Sequence, residues 1–346
     1  VKNFLFLSWF LLALVSCNPA QQGTRELSQP VVTVYTHRYY AVDQQLFERF
    51  EASTGIKVKV VKDTEEALLR RMRQEASKPL GDVFLASDVY WLEMAKRDSL
   101  LQPFFTAYLD RNLPTRYRDR DRQWVALSRG AMGIAFAKNK IDFRPFYRYE
   151  NLGYQAYKNQ LILGNPNSTA NRGLVAGMIA MKGEAYTREW LKALVSNRVS
   201  ADVGATDYDV IKAIAEGKGM MAFVPHSATL QMKASGNKTF ADPADQVSFL
   251  FPSFEDKKSI FYLSAAGVLH QAPNAANAVQ LLEFITDAAQ QPEYTGVTID
   301  YTVNPMALSN DFLDEIGGFY EITLRIDEVI ANFEKAEQLM KETGWK

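Results

Sequence analysis

The chain has 346 residues, 47% of them hydrophobic, with 39 basic and 40 acidic side chains for a net charge of -1. That length exceeds what one ordinary core fills, so two lobes are expected. Charges spread this evenly leave no basic stripe and no polyanionic tail, which argues against a nucleic-acid partner.

Lys2 precedes an almost wholly apolar run from Phe4 to Val15, too short to span a bilayer as a stable helix. Residues 1–17 therefore read as a signal peptide. Leu14-Val15-Ser16-Cys17 looks like a bacterial lipobox, with Cys17, the one cysteine of the chain, as the lipid-attachment residue. A plain cleaved signal with an incidental cysteine is the alternative. Residues 18–30, rich in Gln, Ser, Thr and Gly, read as a tether. The expected product is an exported, membrane-anchored lipoprotein facing the periplasm or the cell exterior.

Val31, Val32 and Val34 follow Pro30 and form a first buried strand. After Tyr40 the period becomes helical. Val42, Leu46 and Phe50 recur every four residues, Asp43 sits in the first turn, and Gly55 closes the end. His37, Arg38, Tyr39 and Tyr40 thus occupy a strand-to-helix turn, the place where open α/β sheets bind ligands. Ile56, Val58 and Val60 alternate with lysines as a second strand. A helix through Leu68, Leu69 and Met72 follows, then a third strand, Val83 to Ala86, ending in Ser87-Asp88. Three such units predict a parallel, doubly wound lobe.

A charge-rich connection, Gln102 to Asp121, leads to two extended segments, Trp124 to Leu127 and Gly133 to Ala137, separated by Ser128-Arg129-Gly130. Leu161 to Leu163, the polar loop Gly164 to Gly173 and a helix through Met181 open a second lobe. Thr206 and Asp209 fit a capping box for the helix that Gly217 ends. Met220 to Val224 is a strand broken by Pro225, with His226-Ser227 at its tip. Strands at Val247 to Phe251 and Ile260 to His270 are expected to return the chain to the first lobe. A helix spans Ala275 to Thr286, Tyr301 lies in an extended segment, and Asp311 to Glu342 is mainly helical.

No G-x-S-x-G, H-E-x-x-H, Walker or G-x-G-x-x-G signature is present, and three histidines are a thin supply of general bases, so no enzyme is expected. Tyr39 and Tyr40 suit a hard metal or a stacked ligand, or else one packs under the helix while the other is a surface tyrosine. Arg38 suits a bidentate clamp on an anion or pairs with a surface acid. Ser87 and Asp88 line a cleft or, the preferred reading for Asp88, cap the next helix. His226 is a ligand or a loop residue. Arg129 meets either a ligand or a hinge carboxylate, and Asp207 and Asp209 read as capping residues.

Taken in order, YTHRYY, IKVKVV, GDVFLASD, WVALSRGAMGIAFAK, LVAGMIA and YTVNP resemble, collinearly from Val31 to Pro305, the extracytoplasmic solute-binding proteins of bacterial ABC importers. The likeness is to their ferric-iron-binding branch. It implies an α/β fold of the two-lobed type II periplasmic-binding-protein kind, each lobe a mixed, mostly parallel sheet flanked by helices around an interlobe ligand cleft. Lobe 1 is expected over 31–127 plus 260–305, lobe 2 over 128–259, and a helical C-terminal segment over 306–346. The resemblance further implies Fe(III) as transported ligand, with a synergistic anion, an ABC permease as membrane partner and a monomeric protein.

Members of that branch hold iron with tyrosinates from both lobes. Here the first turn keeps Tyr39-Tyr40, whereas the second-lobe positions read Pro225-His226-Ser227-Ala228 and Thr169-Ala170-Asn171. The expected metal set is therefore Tyr39, Tyr40 and His226. Arg38, Ser87, Asp88, Arg129, Asn171, Ser227 and Tyr301 are the other expected ligand contacts. A small organic anion as cargo, a secreted α/β enzyme and a non-transport lipoprotein remain the alternatives.

Overall fold

The computed structural model describes residues 29–142 and 147–345. The expectations for Cys17, the signal peptide and most of the tether lie outside the described residues. The first units are β1 (Val31–Thr36), α1 (Ala41–Thr54), β2 (Lys57–Lys62), α2 (Glu65–Gln74), β3 (Val83–Ala86) and α3 (Val89–Arg97). A short α4 (Ala107–Asn112) leads into the 14-residue β4 (Trp124–Ala137). Next come β5 (Leu161–Ile162), α5 (Thr169–Lys182), α6 (Glu184–Asn197), α7 (Asp207–Ala215), β6 (Met221–Pro225), α8 (His226–Ala234), α9 (Lys238–Asp245) and β7 (Val247–Leu250). The chain ends with β8 (Lys258–Ser259), β9 (Phe261–Val268), α10 (Ala275–Thr286), α11 (Gln291–Gly296), β10 (Tyr320–Glu321), α12 (Ile326–Ile330) and α13 (Phe333–Thr343).

Local chemistry accounts for many of these boundaries. Asp88 caps α3, its carboxylate accepting from the Tyr90 N–H at 2.8 Å. Thr206 and Asp209 bond each other's backbone N–H at the start of α7, as a capping box requires. Asp207 takes no part in that cap. Gly55 ends α1 in the left-handed region, φ 73°, where a side chain would be strained.

The main sheet runs β2-β1-β3-β9-β4-β6-β5, with β7 also on β4. Pairing is parallel across β2-β1-β3 and β6-β5, and antiparallel wherever β9 or β4 takes part in this sheet. One strand thus serves two lobes: Trp124 to Ala131 of β4 pairs with β9, and Met132 to Ala137 with β6 and β7. The two extended segments expected on either side of Ser128-Arg129-Gly130 are therefore a single strand. Those three residues pair with Ser264, Leu263 and Tyr262, and a register shift between Ala126 and Ser128 absorbs the bend. β7 stays on the second lobe, so β9 alone of the two expected return strands carries the chain across.

Alternation along β4 and β6 buries both faces of the second lobe. Ile134, Phe136, Met221 and Phe223 enter the large core, whereas Ala135, Ala137, Ala222 and Val224 face a separate cluster with Val210, Ile211 and Ile214. The helices α12 and α13 pack on α5, α13 also packs on α6, and Trp345 donates to the Gly164 carbonyl at 2.8 Å. No described helix is long and apolar enough to cross a membrane.

Candidate functional site

Register brings the carboxyl ends of strands from both lobes to one place. β1 and β3 end side by side, Thr36 opposite Leu85, and β3 ends with Ala86 opposite Ala265 of β9. From the other lobe, β6 ends with Pro225 opposite Met132. Between these points lies the crossing, where Gly130 of β4 faces Tyr262 of β9. The turn 37–40, the Ser87-Asp88 loop and the start of α8 all open toward it, as the switch-point rule for α/β sheets anticipates.

On the first lobe Tyr40 is 46% exposed and Tyr39 is half-buried, its ring stacked on Phe47 at 6.3 Å. Arg38 lies behind them. Its guanidinium bonds Asp43 Oδ1 at 2.8 Å and the Tyr294 carbonyl at 2.7 Å, 4.0 Å from the Tyr294 ring centroid. It is buried, so the expected clamp on a ligand is corrected to a brace that holds the turn. Ser87 donates to Glu65 at 2.5 Å, and His37 lies 3.9 Å from the same carboxylate. Burial pushes Asp88 up to about 6 against the bond from Tyr90, and the nearby Glu65 charge adds to the rise. Thr169 and Arg172, at the start of α5, act on Asp88 from the second lobe.

His226 is fully buried. Nε2 lies 3.0 Å from the Ile299 carbonyl and must donate to it, so Nδ1 is the acceptor for the Ala131 N–H at 3.4 Å, with the Tyr262 hydroxyl oxygen 3.3 Å away. Burial lowers its pKa to about 3, and the ring is neutral. With both nitrogens engaged it has no lone pair to offer a cargo, and its expected role as metal ligand is corrected to that of a pin between segments. Ser227 bonds the Tyr262 hydroxyl at 3.2 Å.

Arg129 takes the second of its two expected roles. Nη1 meets Glu321 at 3.3 Å, Nε donates to the Thr302 carbonyl at 3.2 Å, and the guanidinium lies over Tyr301 and Phe319. Tyr301 donates its hydroxyl to the Gly317 carbonyl, and its backbone bonds Arg129 in both directions. Both are tied to each other where the strands cross. Asn171 fastens its own loop, donating to the Asn165 carbonyl at 2.8 Å.

Sequence reasoning missed Tyr262, Asp300, Glu65 and Asp207. Tyr262 donates to Asp300 at 3.2 Å, and Asp300 in turn accepts from Ser128 at 2.9 Å. Tyr262 lines a small interlobe cavity with Asp88, Thr169 and Ala170. The one local signal was a tyrosine within the small-residue strand FYLSAAGV, one residue from its edge. Burial alone raises Asp207 to about 6, and its charge reaches the Tyr262 phenol.

A two-lobed α/β architecture with strand ends from both lobes converging on a shared crossing defines a solute-binding protein. The chain belongs to the bacterial extracellular solute-binding protein family, whose model matches residues 78–291. It is similar to iron uptake protein A1 of Synechocystis sp., at 28% identity over 92% of this chain and 88% of that protein. The major ferric iron-binding protein of Neisseria meningitidis is 23% identical over 91% of this chain and 93% of its own length. Among solved structures, a Trichodesmium protein (IdiA, FutA) in complex with iron and citrate ligands superposes with a TM-score of 0.87 at 26% identity, covering 91% of this chain and all of the other. A ferric-binding protein from Campylobacter jejuni has the same fold, with a TM-score of 0.84 at 24% identity over 90% of this chain and 99% of its own.

Proposed function

We propose that this protein is the extracytoplasmic binding component of an ABC importer, not an enzyme, and that its cargo is ferric iron carried with a small anion. The relatives named for iron support the metal. The observation that carries the reading is the chemistry of the crossing: phenols at Tyr39 and Tyr40 and carboxylates at Glu65, Asp88 and Asp207, with Arg38 and Arg129 already committed to other partners. Hard oxygen donors of this kind suit a hard cation. A free organic anion would find neither of the two guanidiniums expected for it.

Among the described residues, no three His, Cys, Asp or Glu side chains converge on one metal position. Two phenols cannot fill a ferric shell, so the remaining positions fall to the co-transported anion, with Asp88 and Asp207 balancing charge from the periphery. The lipid anchor at Cys17 and a permease partner complete the proposed role.

Ferric citrate at neutral pH tests this. Bound phenolate should produce a visible charge-transfer band that Tyr39→Phe with Tyr40→Phe abolishes, while His226→Ala, which removes a structural pin, lowers thermal stability without removing colour. Colourless protein with an unchanged melting temperature would reject iron as cargo.

A further inference from the structure

The first lobe holds a second cavity, of about 260 Å³, remote from the crossing. Trp124 and Val125, the first residues of β4, line it, five to six residues before Gly130, which is roughly 16–20 Å of extended strand. Its walls carry four arginines and two aspartates, Asp110 paired with Arg118 and Asp119 paired with Lys96. Arg118, Arg120 and Arg122 come from the alternating run Arg116 to Gln123, RYRDRDRQ, and Arg325 from the residue before α12.

Two of the four are satisfied. Arg120 and Arg325 share Asp327 at 3.1 and 3.3 Å. Arg118 meets Asp110 through Nη1, yet its buried Nε has no hydrogen-bond partner. Arg122 has no ion pair among the described residues; its guanidinium lies 4.4 Å from the ring centroid of Phe105, which is 59% exposed. Burial and the charge of Arg122 together depress Arg118 below the ordinary arginine range. Two like charges around one cavity are unfavourable, and an oxyanion between the two guanidiniums relieves that repulsion.

We propose that this cavity binds a small organic oxyanion, a carboxylate or phosphate monoester, with its charged head between Arg118 and Arg122 and its carbon skeleton against Phe104 and Phe105. Arg325 donates to the Arg118 carbonyl at 2.9 Å, which ties the C-terminal segment to the wall of this cavity. The site shares no residue with the cleft and does not depend on the identity of the cargo.

Calorimetric titration of the mature chain in low-chloride buffer, with phenyl phosphate and inorganic phosphate as probes, tests the assignment. Saturable one-to-one binding is expected, tighter for phenyl phosphate. Arg122→Ala removes a charge-assisted contact and should weaken it about tenfold or more. Because Arg122 is an exposed residue whose charge repels Arg118, the melting temperature without probe should not fall. Tyr39→Phe with Tyr40→Phe should leave binding intact. Arg122→Ala binding as well as wild type, binding abolished by the cleft double variant, or no saturable binding at millimolar probe would each overturn the proposal.

Discussion

Asp43→Ala asks how the turn that presents Tyr39 and Tyr40 is held. The side chains of Arg38 and Asp43 are 5% and 4% exposed, and the guanidinium reaches the carboxylate through Nη2 at 2.8 Å and Nε at 3.2 Å. Removing one partner of such a buried pair costs about 3–5 kcal/mol, chiefly because the other charge is left behind. Tyr294 still offers its carbonyl and ring to Arg38, which moves the expectation toward the lower end. Loss of the bond from the Tyr40 N–H to Asp43 adds about 0.5–1 kcal/mol as a missing helix cap. The net is a loss of about 3–4 kcal/mol. Arg38→Leu combined with Asp43→Ala should cost less than the sum of the single changes by about 1–3 kcal/mol, because the stranded charge is gone. Urea unfolding followed by tryptophan fluorescence reads both as midpoint shifts at constant slope. An Asp43→Ala loss under about 1 kcal/mol, or strict additivity, would refute the reasoning.

Asp88 has a folded pKa of about 6 against an ordinary 3.8, so its stabilising contribution is complete only below the lower value and is lost as pH rises through the higher one. Asp88→Asn retains a good N-cap and should be more stable than wild type by about 1–3 kcal/mol at pH 7.5, with the gap closing near pH 3.5. Thermal melts at the two pH values check this, and a gap independent of pH counts against it. A Cβ on Gly133 would stand 1.8 Å from the Phe249 ring, so Gly133→Ala should destabilise the second lobe by about 1–3 kcal/mol. Adding Phe249→Ala should recover part of that loss in the same denaturation assay, and no recovery would show that the ring is not the obstacle.

Reading the chain without its structure located most helices and the turn between β1 and α1, because apolar spacing, caps and stop glycines act within a few residues. Thr206 with Asp209, Asp88 as a cap and Gly55 as a terminator all lie in such windows. The roles of the charged residues at the site were beyond that reach. Arg38 and Arg129 carry the fork that binds anions, and no local pattern separates a free guanidinium from a satisfied one.

By itself, then, the sequence determined the order of most elements and the position of Tyr39 and Tyr40 at a strand-to-helix turn, since both follow from side-chain period and local hydrogen bonding; it did not show α4, α8, α9 or α11. Only the tertiary structure decided that β4 is one strand shared by two lobes, that Tyr262 and Asp300 stand at the crossing, and that the two arginines are already occupied. Arg38 meets the Tyr294 carbonyl 256 residues away and Arg129 meets Glu321 192 residues away. A buried charge or a strand edge is defined by what covers it, and here the covering groups come from distant parts of the chain.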